Sequence, residues 1–146
     1  MAFRDLREWI SWLEESGEVK RIKAEVDWNR EIGAIARLSG NQGGPALFFE
    51  NIKDHKKTRS TKLFMNDHGT RERAAMAIGL DRSAGFREIT TAMKQRFLSP
   101  VKAETVSSGP VKENIVRGED VDLFQFPVPQ WHHRDGAVTS TPGARW

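Results

Sequence analysis

The sequence contains no cysteine. That single absence excludes disulfides, thiolate nucleophiles, iron–sulfur clusters and cysteine-ligated zinc, and it fits a cytoplasmic protein. No apolar run is long enough to cross a bilayer, so a helical membrane span is not expected. Met1-Ala2-Phe3-Arg4-Asp5 passes straight into a charged amphipathic pattern, without the basic and then apolar layout of a secretory leader, and reads as a native start. A phosphate-cradling glycine motif is missing too, because Gly43-Gly44 is followed neither by Lys-Ser/Thr nor by a spaced third glycine. There is no internal repeat and no low-complexity tract. What remains is an ordinary globular composition: 146 residues, 38% hydrophobic and 29% charged. A chain of this length buries roughly 68–70% of its unfolded surface, enough for a proper core.

The formal net charge of +3 is unevenly spread. Residues 1–50 hold 7 basic and 9 acidic groups, residues 51–117 hold 14 and 7, and residues 118–146 hold 2 and 4. The basicity therefore belongs to the middle, where Lys53-Asp54-His55-Lys56-Lys57-Thr58-Arg59-Ser60-Thr61-Lys62 is densest. That stretch has no aromatic residue to stack on a base and lies between two apolar runs. It reads as a solvated loop, with a small basic RNA- or protein-binding module as the alternative function.

Leu6, Trp9, Ile10 and Leu13 recur at helical spacing and predict a first helix over about 4–16, closed by Gly17. Val19 to Val26 partly alternates as a half-buried strand does, and Asp27 offers an N-cap to a second helix carrying Ile32, Ile35, Ala36 and Leu38. Ala46-Leu47-Phe48-Phe49 and Lys62-Leu63-Phe64-Met65 read as strands. A third helix is expected from the Thr70 N-cap to Ile78, and a fourth from Ser83 to Pro100 with Phe86, Ile89, Thr90, Met93 and Phe97 on one face. The fold class is thus mixed α/β, a short mixed sheet with about four helices over residues 1–107. After Ser107-Ser108-Gly109-Pro110 the pattern turns β-rich, with strands expected over Val111–Val116 and around Ala137–Thr141. Pro127-x-Pro129 keeps Phe126 to Gln130 extended. Ending at Gly143-Ala144-Arg145-Trp146, just after a new strand begins, the chain is expected to be part of a larger or split protein.

Two clusters invite chemistry. Trp131-His132-His133-Arg134-Asp135 combines imidazole, carboxylate and guanidinium groups, but adjacent histidines on an extended segment point to opposite sides and chelate poorly. An imidazole oriented by Asp135 with Ser140 as nucleophile describes a hydrolase, although no strained nucleophile turn is present. Asn66-Asp67-His68-Gly69-Thr70-Arg71 is a polar strand-to-helix connection, either an anion-holding helix start or a simple turn and cap. Among the tryptophans, Trp9 fits the first helix's apolar face. Trp12 and Trp28 fall off the main stripes and are candidates for surfaces left exposed.

Several of these segments, taken in order, resemble the N-terminal region of the UbiD-like decarboxylases. They are Asp5-Leu6-Arg7-Glu8 with Glu15-Ser16-Gly17-Glu18-Val19, Glu25-Val26-Asp27 with Glu31-Ile32, and Gly43 through Asn51. The series continues with Asn66-x-x-Gly69-Thr70-Arg71-Glu72-Arg73, Ala77-Ile78-Gly79, Pro110-Val111-Lys112-Glu113 and Asp120-Val121-Asp122-Leu123. It closes with Phe126-Pro127-Val128-Pro129 and Trp131-His132 with Asp135-Gly136. Each piece is weak alone, and the ordered series is specific. It covers nearly the whole chain but only about the first third of a full-length family member. Ala137 to Pro142 departs from the family's Gly-x-Tyr-Ile character.

The resemblance implies a reversible, non-oxidative decarboxylase of aromatic, heteroaromatic or α,β-unsaturated acids. It implies prenylated FMN with a divalent metal, Mn or Mg, and potassium, the flavin being supplied by a partner prenyltransferase. It implies that residues 108–146 begin a split β-barrel flavin-binding domain and that the protein is a homo-oligomer. The family's cofactor-holding Asn-x-Ser-x-x-Arg segment and its Glu–Arg–Glu proton network come later than Trp146. The resemblance therefore carries no catalytic, cofactor-binding or metal-ligating residue onto this chain. Neither Asn66 with Arg71 nor His132 with His133 takes a metal role, and none of these cofactors is expected to bind the chain alone. By itself the chain is expected to be catalytically silent, a packing and assembly part completed by the remainder of the decarboxylase in the same or a separate chain. Neither a membrane nor nucleic acid is expected as a partner.

Overall fold

The structure is a computed structural model and describes residues 3–135. Its centre is a three-stranded sheet in the order β1 (Val19–Ile22), β2 (Ala46–Phe49), β3 (Leu63–Met65). β1 runs parallel to β2 with Val19 opposite Ala46 and Ile22 opposite Phe49, and β3 returns antiparallel with Phe64 opposite Phe48. The parallel pair requires a crossover, and the helix α2 (Glu31–Asn41) supplies it.

The apolar run of β2 is explained by helices on both faces of the sheet. Leu47 and Phe49 point to one face and join Ile32 and Ala36 of α2, with Val26 and Ile52, in one core cluster. Ala46 points to the other face, where it meets Trp9 and Leu13 of α1 (Leu6–Glu15) and Met76 of α3 (Arg71–Ala77). Phe3 and Trp12 complete this second cluster, with the Trp9 and Trp12 rings stacked at 5.6 Å between centroids. α4 (Phe86–Leu98) attaches outside these layers through a small cluster of Ala75, Ala84 and Ile89.

The layers are locked by a buried arginine. Arg73 on α3, 1% exposed, donates from one terminal nitrogen to Glu18 Oε2 at 2.9 Å and from the other to the Gly44 carbonyl at 2.7 Å. Glu18 immediately precedes β1 and Gly44 lies two residues before β2, and the strand starts are themselves joined by Ala46 N donating to the Glu18 carbonyl. Arg82 also donates to Glu18, at 2.5 Å. Gly69 makes the room, because a Cβ there would stand 3.2 Å from the Arg73 guanidinium and 3.0 Å from the Asn66 carbonyl.

Several expectations are corrected. Asp27 does not cap α2: its Oδ1 accepts from Asn29 N and its Oδ2 from Lys53, so it closes a turn, and the helix begins at Glu31 after Arg30 at φ +72°. α4 starts at Phe86 rather than Ser83, because Ser83 is held in a side-chain turn by Asp81. Leu38, Phe86 and Phe97 are exposed rather than core. Val111–Val116 is not a strand. Pro110–Lys112 is a 3-10 turn closed by Lys112 N on the Gly109 carbonyl, and among the described residues no neighbouring strand offers the run a ladder. Further 3-10 turns at Gly118–Asp120 and Leu123–Gln125 make up the rest, so residues 108–135 contain no strand of a barrel. The expected strand around Ala137–Thr141 lies outside the described residues. Trp12 and Trp28 are half-buried, packed against the two sheet clusters, and are not the surfaces left open.

Removing Arg73 strands a largely buried carboxylate, a class of change that costs about 3–5 kcal/mol. Arg73→Ala is expected to fall near about 3 kcal/mol, since Arg82 still reaches Glu18. Arg82→Ala, at an exposed position, should cost under about 1 kcal/mol. Urea unfolding of both variants checks this, and equal small losses would show that the clamp is not limiting.

Candidate functional site

The Trp131–Asp135 cluster is positioned by the return of the chain to the start of α2. Asn29 and Gln130 form a parallel bridge in which Arg30 N donates to the Gln130 carbonyl at 2.9 Å and Gln130 N to the Trp28 carbonyl at 3.1 Å. Trp131 then lies on the buried Gly33 of α2, where a Cβ would stand 3.2 Å from Trp131 Cα and 3.3 Å from its ring. Only glycine allows this approach without displacing the tryptophan.

Between this segment and α2 runs an open groove of about 860 Å³. Gly33, Ala34, Leu38 and Trp131 supply its apolar part, and Arg30, Arg37, His132 and His133 its cationic or protonatable rim. His132 meets Asp135 twice: its backbone N donates to Oδ2 at 2.8 Å and its Nδ1 lies 3.2 Å from the same oxygen. The expected oriented imidazole therefore exists, as an exposed local turn, while Ser140 lies outside the described residues. His133 points into the same groove but shares no ligand set with His132. Among the described residues no three His, Asp or Glu side chains converge as a ligand set.

The Asn66–Arg71 connection is occupied by structural tasks. Asn66, at φ +57°, donates from Nδ2 to the Ala36 carbonyl at 2.6 Å and so ties the end of β3 to α2. Thr70 caps α3 by accepting from Arg73 N, Arg71 pairs with Glu72 at 2.8 Å, and His68 with Asp67 at 2.7 Å. Asn66 and Thr70 thus serve the turn and the cap, while Arg71 and His68 sit in exposed ion pairs.

The basic stretch is engaged with its own chain. Lys53 binds Asp27 at 2.7 Å, Lys56 binds Glu25 at 2.5 Å, and Lys62 lies over the Phe48 ring. The hydrogen bond from Lys53, followed by that from the Asn29 amide, holds the Asp27 carboxyl below the usual carboxylate range. His55 turns inward and is 7% exposed, with Nδ1 3.3 Å from Thr58 Oγ1. It borders a second cleft of about 830 Å³, between this loop and residues 119–128, lined also by Trp28, Asp54, Asp122, Phe124 and Phe126. Ser60 N donates to the Gln125 carbonyl and pins the two walls together. Sequence reasoning missed His55 and the groove arginines, because nothing in a run of lysines marks the one imidazole that faces inward.

The elements thus define a three-layer α/β/α unit with clamped strand ends. The family described as "3-octaprenyl-4-hydroxybenzoate carboxy-lyase N-terminal domain" matches residues 10–93. The pyrrole-2-carboxylic acid decarboxylase of Pseudomonas aeruginosa is 32% identical over 159 aligned residues, which cover 97% of this chain and 32% of the relative. The vanillic acid decarboxylase of Sedimentibacter hydroxybenzoicus, in its closed form, superimposes with a TM-score of 0.77 and 32% identity over 93% of this chain and 29% of that one. An evolved dimeric form of the UbiD-class enzyme HmfF from Pelotomaculum thermopropionicum, in complex with prFMN, does so with a TM-score of 0.72 and 30% identity over 89% and 28%. The chain belongs to the UbiD family and carries its N-terminal domain. It spans about a third of the length of the curated relative it matches. Among the described residues no helix is long and apolar enough to cross a membrane.

Two outcomes test this geometry. Gly33→Leu should evict Trp131, so that the amides of Arg30 and Gln130 lose hydrogen-exchange protection while those of β2 keep theirs; retained protection at both amides would show that Trp131 has room to shift. The second concerns His55, whose imidazole is pushed below its ordinary value of 6.5 by burial, against the opposing charge of Asp54. The unfolded state then binds the proton more readily, so stability is complete above pH 6.5 and falls as acidification passes below it toward the folded value. Urea midpoints across that range should decline with acid in the parent and flatten in His55→Gln.

Proposed function

We propose that this chain is the N-terminal part of a prenylated-FMN-dependent, non-oxidative (de)carboxylase acting on aromatic, heteroaromatic or α,β-unsaturated carboxylic acids. The observation that carries the reading is similarity along almost the whole chain to decarboxylases about three times its length. When bound, the modified flavin supplies the electron sink that lets carbon dioxide depart. The residues of this chain act as scaffold: the Arg73 clamp sets the sheet and its helices, and the Gln130–Trp28 bridge sets the direction in which the chain leaves toward the flavin-binding domain. Residues 1–107 form the α/β unit, and residues 108–146 lead into a split barrel completed by the remainder of the protein, in the same or a separate chain. Flavin, divalent metal and potassium are held by that remainder. The assembly is a cytoplasmic homo-oligomer loaded by a flavin prenyltransferase.

The test is a chimaera in which these 146 residues replace the matching segment of the Pseudomonas aeruginosa pyrrole-2-carboxylic acid decarboxylase, produced together with a flavin prenyltransferase. The chimaera is expected to purify with bound flavin and to release carbon dioxide from pyrrole-2-carboxylate, while the isolated chain does neither. Flavin binding and decarboxylation by the isolated chain would overturn the division of labour, and a chimaera that cannot assemble would overturn the reading itself.

A further inference from the structure

The helix α4 is poorly supported by the rest of the chain. It has 13 residues, of which only Ile89 is buried. Helices of that length are marginal in water without tertiary packing. At 3.6 residues per turn, Phe86, Met93 and Phe97 fall on one stripe beside Ile89. Phe86 is 76% exposed, Phe97 79% and Met93 43%. Only the Ile89 edge of the stripe touches the domain, helped by Arg96 donating to the Ile78 carbonyl. At the end of α4 and just beyond it Leu98 and Val101 are 72% and 96% exposed. Residues 99–108 form neither helix nor strand. A periodic apolar stripe on a helix and an extended apolar continuation, both facing water, are uncommon on a free-standing surface.

The solved relatives indicate what lies there. The superposition spans 93% of this chain, a share too large to omit α4 together with the segment that follows it, yet uses only 29% of the relative. Since fewer residues are left out than the 13 of α4, at least part of the helix belongs to a shared fold whose larger part is additional chain. We infer that the stripe Phe86, Met93 and Phe97, continued by Leu98 and Val101, is the docking surface for that larger part of the decarboxylase. This rests on the family reading above. The flank that carries Ile89 is already taken by α3, so the exposed part of the stripe, Phe86, Met93 and Phe97, is the side on which an apolar partner seats. Arg87 and Lys94, exposed beside it, favour acidic groups at the partner's rim.

The experiment compares one double substitution in two settings, the isolated chain and the chimaera. Phe86→Ser with Phe97→Ser should leave the melting midpoint of the isolated chain within about 2 °C of the parent, because both rings already face water, and should lower that of the chimaera by about 5 °C or more. Hydrogen exchange gives an independent readout: residues 86–98 should exchange much faster in the isolated chain than in the chimaera. A chimaera that stays active and as stable with the two serines overturns the docking surface while leaving the family reading intact. A large loss in the isolated chain also overturns it, since the stripe would then be covered within this chain. Concentration-dependent self-association of the isolated chain, abolished by the serines with the chimaera unaffected, would assign the surface to a second copy instead.

Discussion

One guanidinium holds the domain in its arrangement. Arg73 lies where α3 crosses the entry ends of β1 and β2, and its two terminal nitrogens bind the Glu18 carboxylate and the Gly44 carbonyl. Burying a charge is costly unless it is paired, and among the described residues Nε finds no partner. The interaction therefore does less for net stability than for uniqueness. With Arg73 seated, the helix layer cannot slide along the sheet without stranding a charge, and β1 and β2 cannot shift register without moving both acceptors. Gly69 and Thr70 serve the same end, one leaving space for the guanidinium and the other capping the helix that carries it.

This recasts the short motifs through which the family was legible. Asn66-x-x-Gly69-Thr70-x-x-Arg73 reads as polar and therefore as chemical, yet each residue is spent on architecture: Asn66 on the Ala36 carbonyl, Thr70 on the helix cap, Arg73 on the strand ends. Gly43-Gly44-Pro45 is similarly structural, since Ser39 Oγ donates to the Pro45 carbonyl under a turn that a Cβ on Gly44 would obstruct at 2.7 Å. The signature of this segment is a scaffold signature. The family is thus legible through contacts that hold the fold together.

The sheet and the first three helices were readable because their patterns report burial within the chain itself. Ala46 to Phe49 is apolar throughout and is sandwiched, and Trp9 and Leu13 mark the inward side of α1. The failures share a cause. Leu38, Phe86, Phe97, Val111 and Ile115 carry apolar side chains that the described residues do not cover. Periodicity states that a face seeks burial; it does not state against what. Sequence reading assigned those faces to an internal core and to a strand because it had only this chain to bury them in. The tryptophans erred in the opposite direction, since Trp12 and Trp28 fall off the helical stripe but are held by ring stacking and by a hydrogen bond to Asp54.

The candidate site divides along the same line. The His132–Asp135 contact spans three residues and is visible in sequence, whereas its facing wall of Arg30 and Arg37 becomes adjacent only through the bridge between Asn29 and Gln130. That bridge depends on Arg30 taking a left-handed backbone, a conformation that side chains other than glycine's adopt at some cost and that surrounding contacts must maintain. Two hydrogen bonds and the close fit of Trp131 on Gly33 maintain it. The direction of the chain at its exit from the α/β unit is therefore set by contacts as specific as those of the core. An exit fixed in this way gives residues 131–135 one course along α2, where a flexible one would leave them many.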